Sequence, residues 1–172
     1  LSNSFGITAS IYSQVKQSPD RLALDVDGQT WSYQELHLAA LSLAQKLDTR
    51  GDPVTVAVMA GRGGAAFIGI LAAMYSGLAY VPINVSHPAQ RNLQVLQRSG
   101  ARQIICGEAE RECLQHILTV SPSLKEEIEI VHCQTDKVAG DVESLSPLSP
   151  RAVTEKDWAY VLFTSGSTGQ PK

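Results

Sequence analysis

Tyr160-Val-Leu-Phe-Thr-Ser-Gly-Ser-Thr-Gly-Gln-Pro-Lys172 sets the reading of the whole chain. An apolar run over residues 159–163 stops at Thr164, and small, hydroxylic residues follow. A short apolar run that ends in a turn signal reads as a buried strand. Beyond it, Gly166 and Gly169 can take positive φ and turn backbone N–H groups towards one point. Thr164, Ser165, Ser167 and Thr168 add hydroxyl donors, and Lys172 adds a positive charge. A strand feeding such a loop is suited to holding phosphates. Composition alone leaves a second reading open, because flexible connections are built from the same residues. It is not a Walker loop, Gly-x-x-x-x-Gly-Lys-Ser/Thr. Here two residues separate Gly166 from Gly169, and Lys172 comes three further on.

Upstream of this stretch the chain has a βα rhythm. Strands are expected over 54–59, 79–83, 102–106 and 128–132, with helices over 65–75, 88–99 and 108–118 between them. Such alternation argues for a mostly parallel sheet covered by helices. Gly61-Arg-Gly-Gly64 lies between a strand and a helix and reads as a tight turn; it lacks the Gly-x-Gly-x-x-Gly pattern of a dinucleotide loop. Residues 134–156 are polar and carry Pro147 and Pro150, so they read as a long connection. Nearer the start, a helix is expected from about Ser10, ended by Ser18-Pro-Asp20. Residues 22–31 read as a hairpin turning at Asp27-Gly28. Ser32-Tyr-Gln-Glu35 has the form of a capping box for a helix over Leu36, Ala39, Ala40, Leu43 and Leu47, broken at Gly51-Asp-Pro53.

Composition excludes several classes. Apolar residues make up 44% of the 172 and charged residues 18%, as in a folded globular protein. The formal charge is -3 with no basic run, which argues against a nucleic-acid surface. No apolar run approaches the ~18 residues of a membrane-spanning helix, and residues 1–5 lack the layout of a signal peptide. Cys106, Cys113 and Cys133 are an odd number without a Cys-x-x-Cys pair, so a reducing, cytoplasmic compartment is expected. Cys113 and His116 alone do not make a metal site, and no metal ligands are assigned. Asn84-Val-Ser86 matches a glycosylation acceptor, which means little without secretion.

The phosphate-type loop is also a long match to a known motif. YVLFTSGSTGQPK resembles the ATP-phosphate loop of the adenylate-forming enzymes: adenylation domains of nonribosomal peptide synthetases, acyl-CoA synthetases and luciferases. Two further stretches resemble the same family in the same order. Thr30-Trp-Ser-Tyr-Gln-Glu-Leu36 is similar to a segment near the start of adenylation domains. Leu71-Ala-Ala-Met-Tyr-Ser-Gly-Leu-Ala-Tyr-Val-Pro-Ile-Asn84, with His87-Pro88 and Arg91, is similar to a segment most typical of the peptide synthetases. It departs from that pattern at Tyr75-Ser76, where Lys-Ala is usual, and at Asn84, where Asp is usual.

The resemblance implies an α/β fold, the N-terminal part of the large subdomain of an adenylate-forming enzyme. Residues 1–172 would be a portion of an adenylation domain that ends at the phosphate loop, 160–172. The start at Leu1 and the end at Lys172 carry the same expectation of a piece of a longer protein. The implied activity is ATP-dependent activation of an amino-acid or related carboxylate as acyl-AMP. Transfer to a phosphopantetheine thiol on a carrier domain follows. Thr164, Ser165, Ser167 and Thr168 would bind ATP phosphates, Gly166 and Gly169 would let the backbone approach, and Lys172 would be a phosphate-side cation. The family's Mg²⁺ ligands, substrate pocket and adenylation lysine follow the loop, so the piece alone is expected to be inactive. Lys16, Lys46, Lys125, Lys137 and Lys156 precede it and are not assigned that role. Expected partners are the carboxylate substrate and the carrier and condensation domains, without nucleic acid or membrane. An acyl- or aryl-CoA ligase is the alternative within the superfamily, and a non-catalytic truncated binding protein the alternative outside it.

Overall fold

A computed structural model describes residues 7–50, 55–135 and 153–164. Helix α1, Ile7–Gln17, is followed by strands β1, Leu22–Val26, and β2, Gln29–Ser32. These two pair antiparallel around a tight turn. Asp27 (φ 52°) and Gly28 (φ 79°) both occupy the left-handed region, as a two-residue hairpin turn requires.

The capping box opens helix α2, Tyr33–Ala44. The Glu35 N–H donates to Ser32 Oγ at 3.2 Å, and the Ser32 N–H donates to Glu35 Oε2 at 2.8 Å. Two orphan amides of the first turn are thereby satisfied. The helix stops at Ala44, ahead of the expected breaker, and Gly51-Asp-Pro53 lies outside the described residues.

The alternating region then builds the sheet. β3, Thr55–Met59, leads through α3, Gly64–Tyr75, to β4, Ala79–Pro82. From there α4, Ala89–Ser99, leads to β5, Gln103–Gly107. A 3₁₀ turn, Glu108–Glu110, and α5, Arg111–Val120, come next. A short helix that the sequence pattern did not suggest, α6, Leu124–Glu127, precedes β6, Glu129–Cys133. Pro88 stands at the N-cap of α4 rather than within its first turn. Gly100 (φ 66°) ends that helix in the left-handed conformation.

The four strands are parallel in the order β4-β3-β5-β6. The expected α/β class and the parallel sheet covered by helices are both present. Every residue of β3 and β5 is buried, because helices cover both faces. Period-two alternation then assigns side chains to the two layers. Ala57, Met59, Ile104 and Cys106 pack with Leu93, Leu96, Leu114 and Ile117 of α4 and α5. Val56, Val58 and Ile105 pack with Ile68, Ala72 and Ala73 of α3 and Ala39 and Leu43 of α2.

One expectation is corrected. The run over 159–163 is not a buried strand among the described residues. It forms a single parallel bridge, Tyr160 to Tyr80, outside β4. The Tyr80 N–H donates to the Ala159 carbonyl and the Val161 N–H to the Tyr80 carbonyl. Val161 and Phe163 turn inward onto the α4–α5 side of the core. Trp158, Tyr160 and Leu162 are 64, 54 and 58% exposed. A strand position at the rim of a sheet buries one face at most, whatever its apolar content. Most of the connection over 134–156 lies outside the described residues.

Candidate functional site

The parallel bridge at Tyr160 aligns the chain with β4, so residues 161–164 run towards the carboxyl ends of the strands. That is the rim where open α/β sheets take ligands. A cavity of about 750 Å³ opens there. Its wall combines Gly61 and Arg62 after β3, residues 82–87 at and after the end of β4, parts of α3 and α4, and Leu162 and Phe163.

The chemistry of the wall is one-sided. Arg62, Arg91 and His87 border it, and no Asp or Glu does among the described residues. Among the described residues Arg91 Nε is sealed from solvent and has no hydrogen-bond partner. A buried guanidinium N–H without a partner leaves a desolvation cost that an anionic oxygen would relieve. The other lining is mostly aliphatic, with Val58, Ile70, Ile83 and Val95. Such a cavity suits a ligand with an anionic group on an apolar or neutral body.

The loop after β4 is held by its own polar groups. Asn92, 1% exposed on α4, donates from Nδ2 to the Asn84 carbonyl at 2.9 Å. The Ser86 N–H donates to Asn84 Oδ1 at 2.9 Å. On the other side of the cavity the Gly61 N–H donates to Glu110 Oε1 at 2.8 Å. Asn92 and Glu110 were not singled out from the sequence. Asn92 could have been: it is a polar residue among the buried positions Leu93, Val95 and Leu96 of one helix.

Of the residues assigned to ATP phosphates, Thr164 is described, exposed, and directly follows Phe163 on the cavity wall. Ser165, Gly166, Ser167, Thr168, Gly169 and Lys172 lie outside the described residues. The cysteines form no reactive centre. Burial pushes the Cys106 thiol up to about 11 and the Cys133 thiol up to about 12, so both stay protonated at neutral pH. Among the described residues no group of three His, Cys, Asp or Glu comes together that could hold a metal ion. Nor is any described helix long and apolar enough to cross a membrane.

Comparison with known proteins matches the chain to a family. The family described as "AMP-binding enzyme" covers residues 11–172. Phosphinothricin tripeptide synthetase PhsB of Streptomyces viridochromogenes is 31% identical over 169 residues, which are 96% of this chain and 14% of that protein. Nonribosomal peptide synthetase opaA of Aspergillus ustus is 37% identical over 158 residues, 90% of this chain and 4% of that one. The crystal structure of IdnL7 superposes with a TM-score of 0.74 at 30% identity, covering 94% of this chain and 33% of that chain. The chain thus spans a small part of the length of these curated relatives. The match over residues 11–172 includes all three motif stretches and the strands that line the cavity, and on it the chain belongs to the AMP-binding enzyme family.

Proposed function

We propose that this sequence is the N-terminal, phosphate-binding portion of an amino-acid adenylation domain of a nonribosomal peptide synthetase. The observation that carries the reading is the junction at Phe163 and Thr164. The family's phosphate motif begins at the carboxyl rim of the sheet, beside a cavity lined by arginines and, among the described residues, by no carboxylate. The peptide synthetases among the relatives support the amino-acid version over a CoA ligase.

In this reading a carboxylate oxygen of the substrate attacks the α-phosphorus of ATP. The bond from that phosphorus to the bridging oxygen breaks, and pyrophosphate leaves. The product is an acyl-adenylate. A phosphopantetheine thiol on a carrier domain then takes the acyl group and releases AMP. Both steps crowd negative oxygens together, so the protein's part is positioning and charge stabilisation. Thr164, Ser165, Ser167 and Thr168 donate to the β- and γ-phosphates, backbone at Gly166 and Gly169 approaches them, and Lys172 offsets their charge. Mg²⁺, held by ligands outside residues 1–172, would supply further neutralisation of that charge. Residues 1–172 alone do not complete the reaction, and the setting is cytoplasmic.

The test is ATP–pyrophosphate exchange by the full natural polypeptide. Thr168→Ala and Lys172→Ala should each slow exchange by about 10²-fold or more, the scale of losing one preorganised charge contact. Binding of the acyl substrate should change little. Unaltered exchange in both variants would remove the phosphate assignment.

A further inference from the structure

β3 and β5 are the neighbours at which the chain reverses its direction across the sheet. β3 leads to β4 on one side, and β5 leads to β6 on the other. In open α/β folds the crevice beyond such a pair is where ligands enter. Here one side chain spans that crevice. Glu110, after β5, accepts the Gly61 N–H, after β3, at 2.8 Å. A Cβ added at Gly61 would stand 2.8 Å from the same carboxylate oxygen, and one added at Gly107 would overlap Oε2. The carboxylate occupies the space beside two glycines, where a side chain at either would push it aside. Among the described residues Glu110 makes no ion pair, so its contact is with backbone. The far end of the turn is also fixed, since a Cβ at Gly64 would overlap the Trp31 ring. Arg62 lies between the two clamps and borders the cavity.

We infer that Glu110 is a positioning residue. It sets the backbone of the 61–64 turn, and through it the place of the Arg62 cation on the cavity wall, for a phosphate-bearing reactant. The identity of that reactant rests on the proposed function; the clamp does not. Two sources share the chemistry, the triphosphate of ATP and the phosphodiester of the phosphopantetheine arm.

The experiment compares wild type, Glu110→Ala and Glu110→Gln in the full natural polypeptide. Amide exchange at Gly61 should quicken by about tenfold or more in Glu110→Ala, as expected for losing a hydrogen bond to a charged acceptor. Amides of β3 should keep their protection, and Glu110→Gln should retain most of that at Gly61 through its side-chain carbonyl. Kinetics then distinguish the sources. Either the KM for ATP in pyrophosphate exchange or the KM for the carrier protein in thioester formation should rise by about three- to tenfold, with kcat nearly kept and Gln restoring the value. Unchanged exchange at Gly61, or both KM values unchanged in Glu110→Ala, overturns the inference. If Glu110→Ala does not fold, Gly107→Ala displaces the same carboxylate and should give the same pattern. Wild type that exchanges no pyrophosphate with any amino acid counts against the proposed function, while the Gly61 amide still decides the clamp.

Discussion

Two stretches of this chain read alike and fold differently. Gln103-Ile-Ile-Cys-Gly107 and Tyr160-Val-Leu-Phe163 are both short apolar runs with β-forming residues. The first is β5, paired on both sides and buried at every position. The second touches β4 at one bridge and leaves alternate side chains in solvent. The difference is neighbours. Helices α3, α4 and α5 cover the two faces at β5, whereas the described residues cover only one face at Tyr160. An apolar run reports that a segment has a face to bury, and its place in the sheet determines whether that face is buried.

The sharpest way to break the comparison is a pair of truncations measured by urea denaturation. Ile104→Ala removes a fully buried side chain from β5 and should cost about 2–5 kcal/mol. Leu162→Ala removes one that is already mostly exposed and should change stability by less than about 0.5 kcal/mol. Equal losses would mean that the two runs are equally buried in solution.

A smaller effect sharpens it from the other side, where local sequence alone decides structure. Ser32→Ala removes the oxygen that accepts the Glu35 N–H and should cost about 1 kcal/mol in the same assay. Local signals of this kind were legible: the Asp27-Gly28 turn, the capping box and the βα alternation all rest on residues that are close in sequence. Strand order was not. The position of β5 between β3 and β6 depends on which helices find which face, and no spacing along the chain encodes it. The cavity was legible only in part. The phosphate motif marked Thr164, and Asn92 was open to notice as a polar residue on a buried helix face, but Arg62 and Glu110 acquire their roles from elements far apart in sequence. Glu110 and Gly61 are 49 residues apart and share one hydrogen bond.

The smallest effect concerns the helical layer that covers one face of β5. His37 on α2 is 4% exposed, and its Nδ1 lies 2.9 Å from Tyr75 Oη on α3. The Tyr12 ring of α1 sits 5.5 Å from it. Burial holds the His37 pKa below its ordinary 6.5. Burial likewise raises that of Tyr75, so the phenol stays neutral. The unfolded chain therefore binds a proton near pH 6.5 that the folded chain takes up only at lower pH. Stability from this group is complete above pH 6.5 and falls as pH drops through 6.5 towards the folded value. Thermal melts should show a Tm that declines on acidification from pH 7.5 to 5.5, and His37→Gln should flatten that decline. An identical decline in the variant would assign it to other groups.

The central claim is that a family phosphate loop begins at the cationic rim of this sheet and serves carboxylate adenylation. The most direct measurement is exchange of labelled pyrophosphate into ATP by the full natural polypeptide, across a panel of amino acids, with Lys172→Ala beside wild type. Exchange that depends on one amino acid or a few and is lost in Lys172→Ala is the predicted result. Exchange that Lys172→Ala leaves intact, or none with any amino acid or related carboxylate, would contradict it.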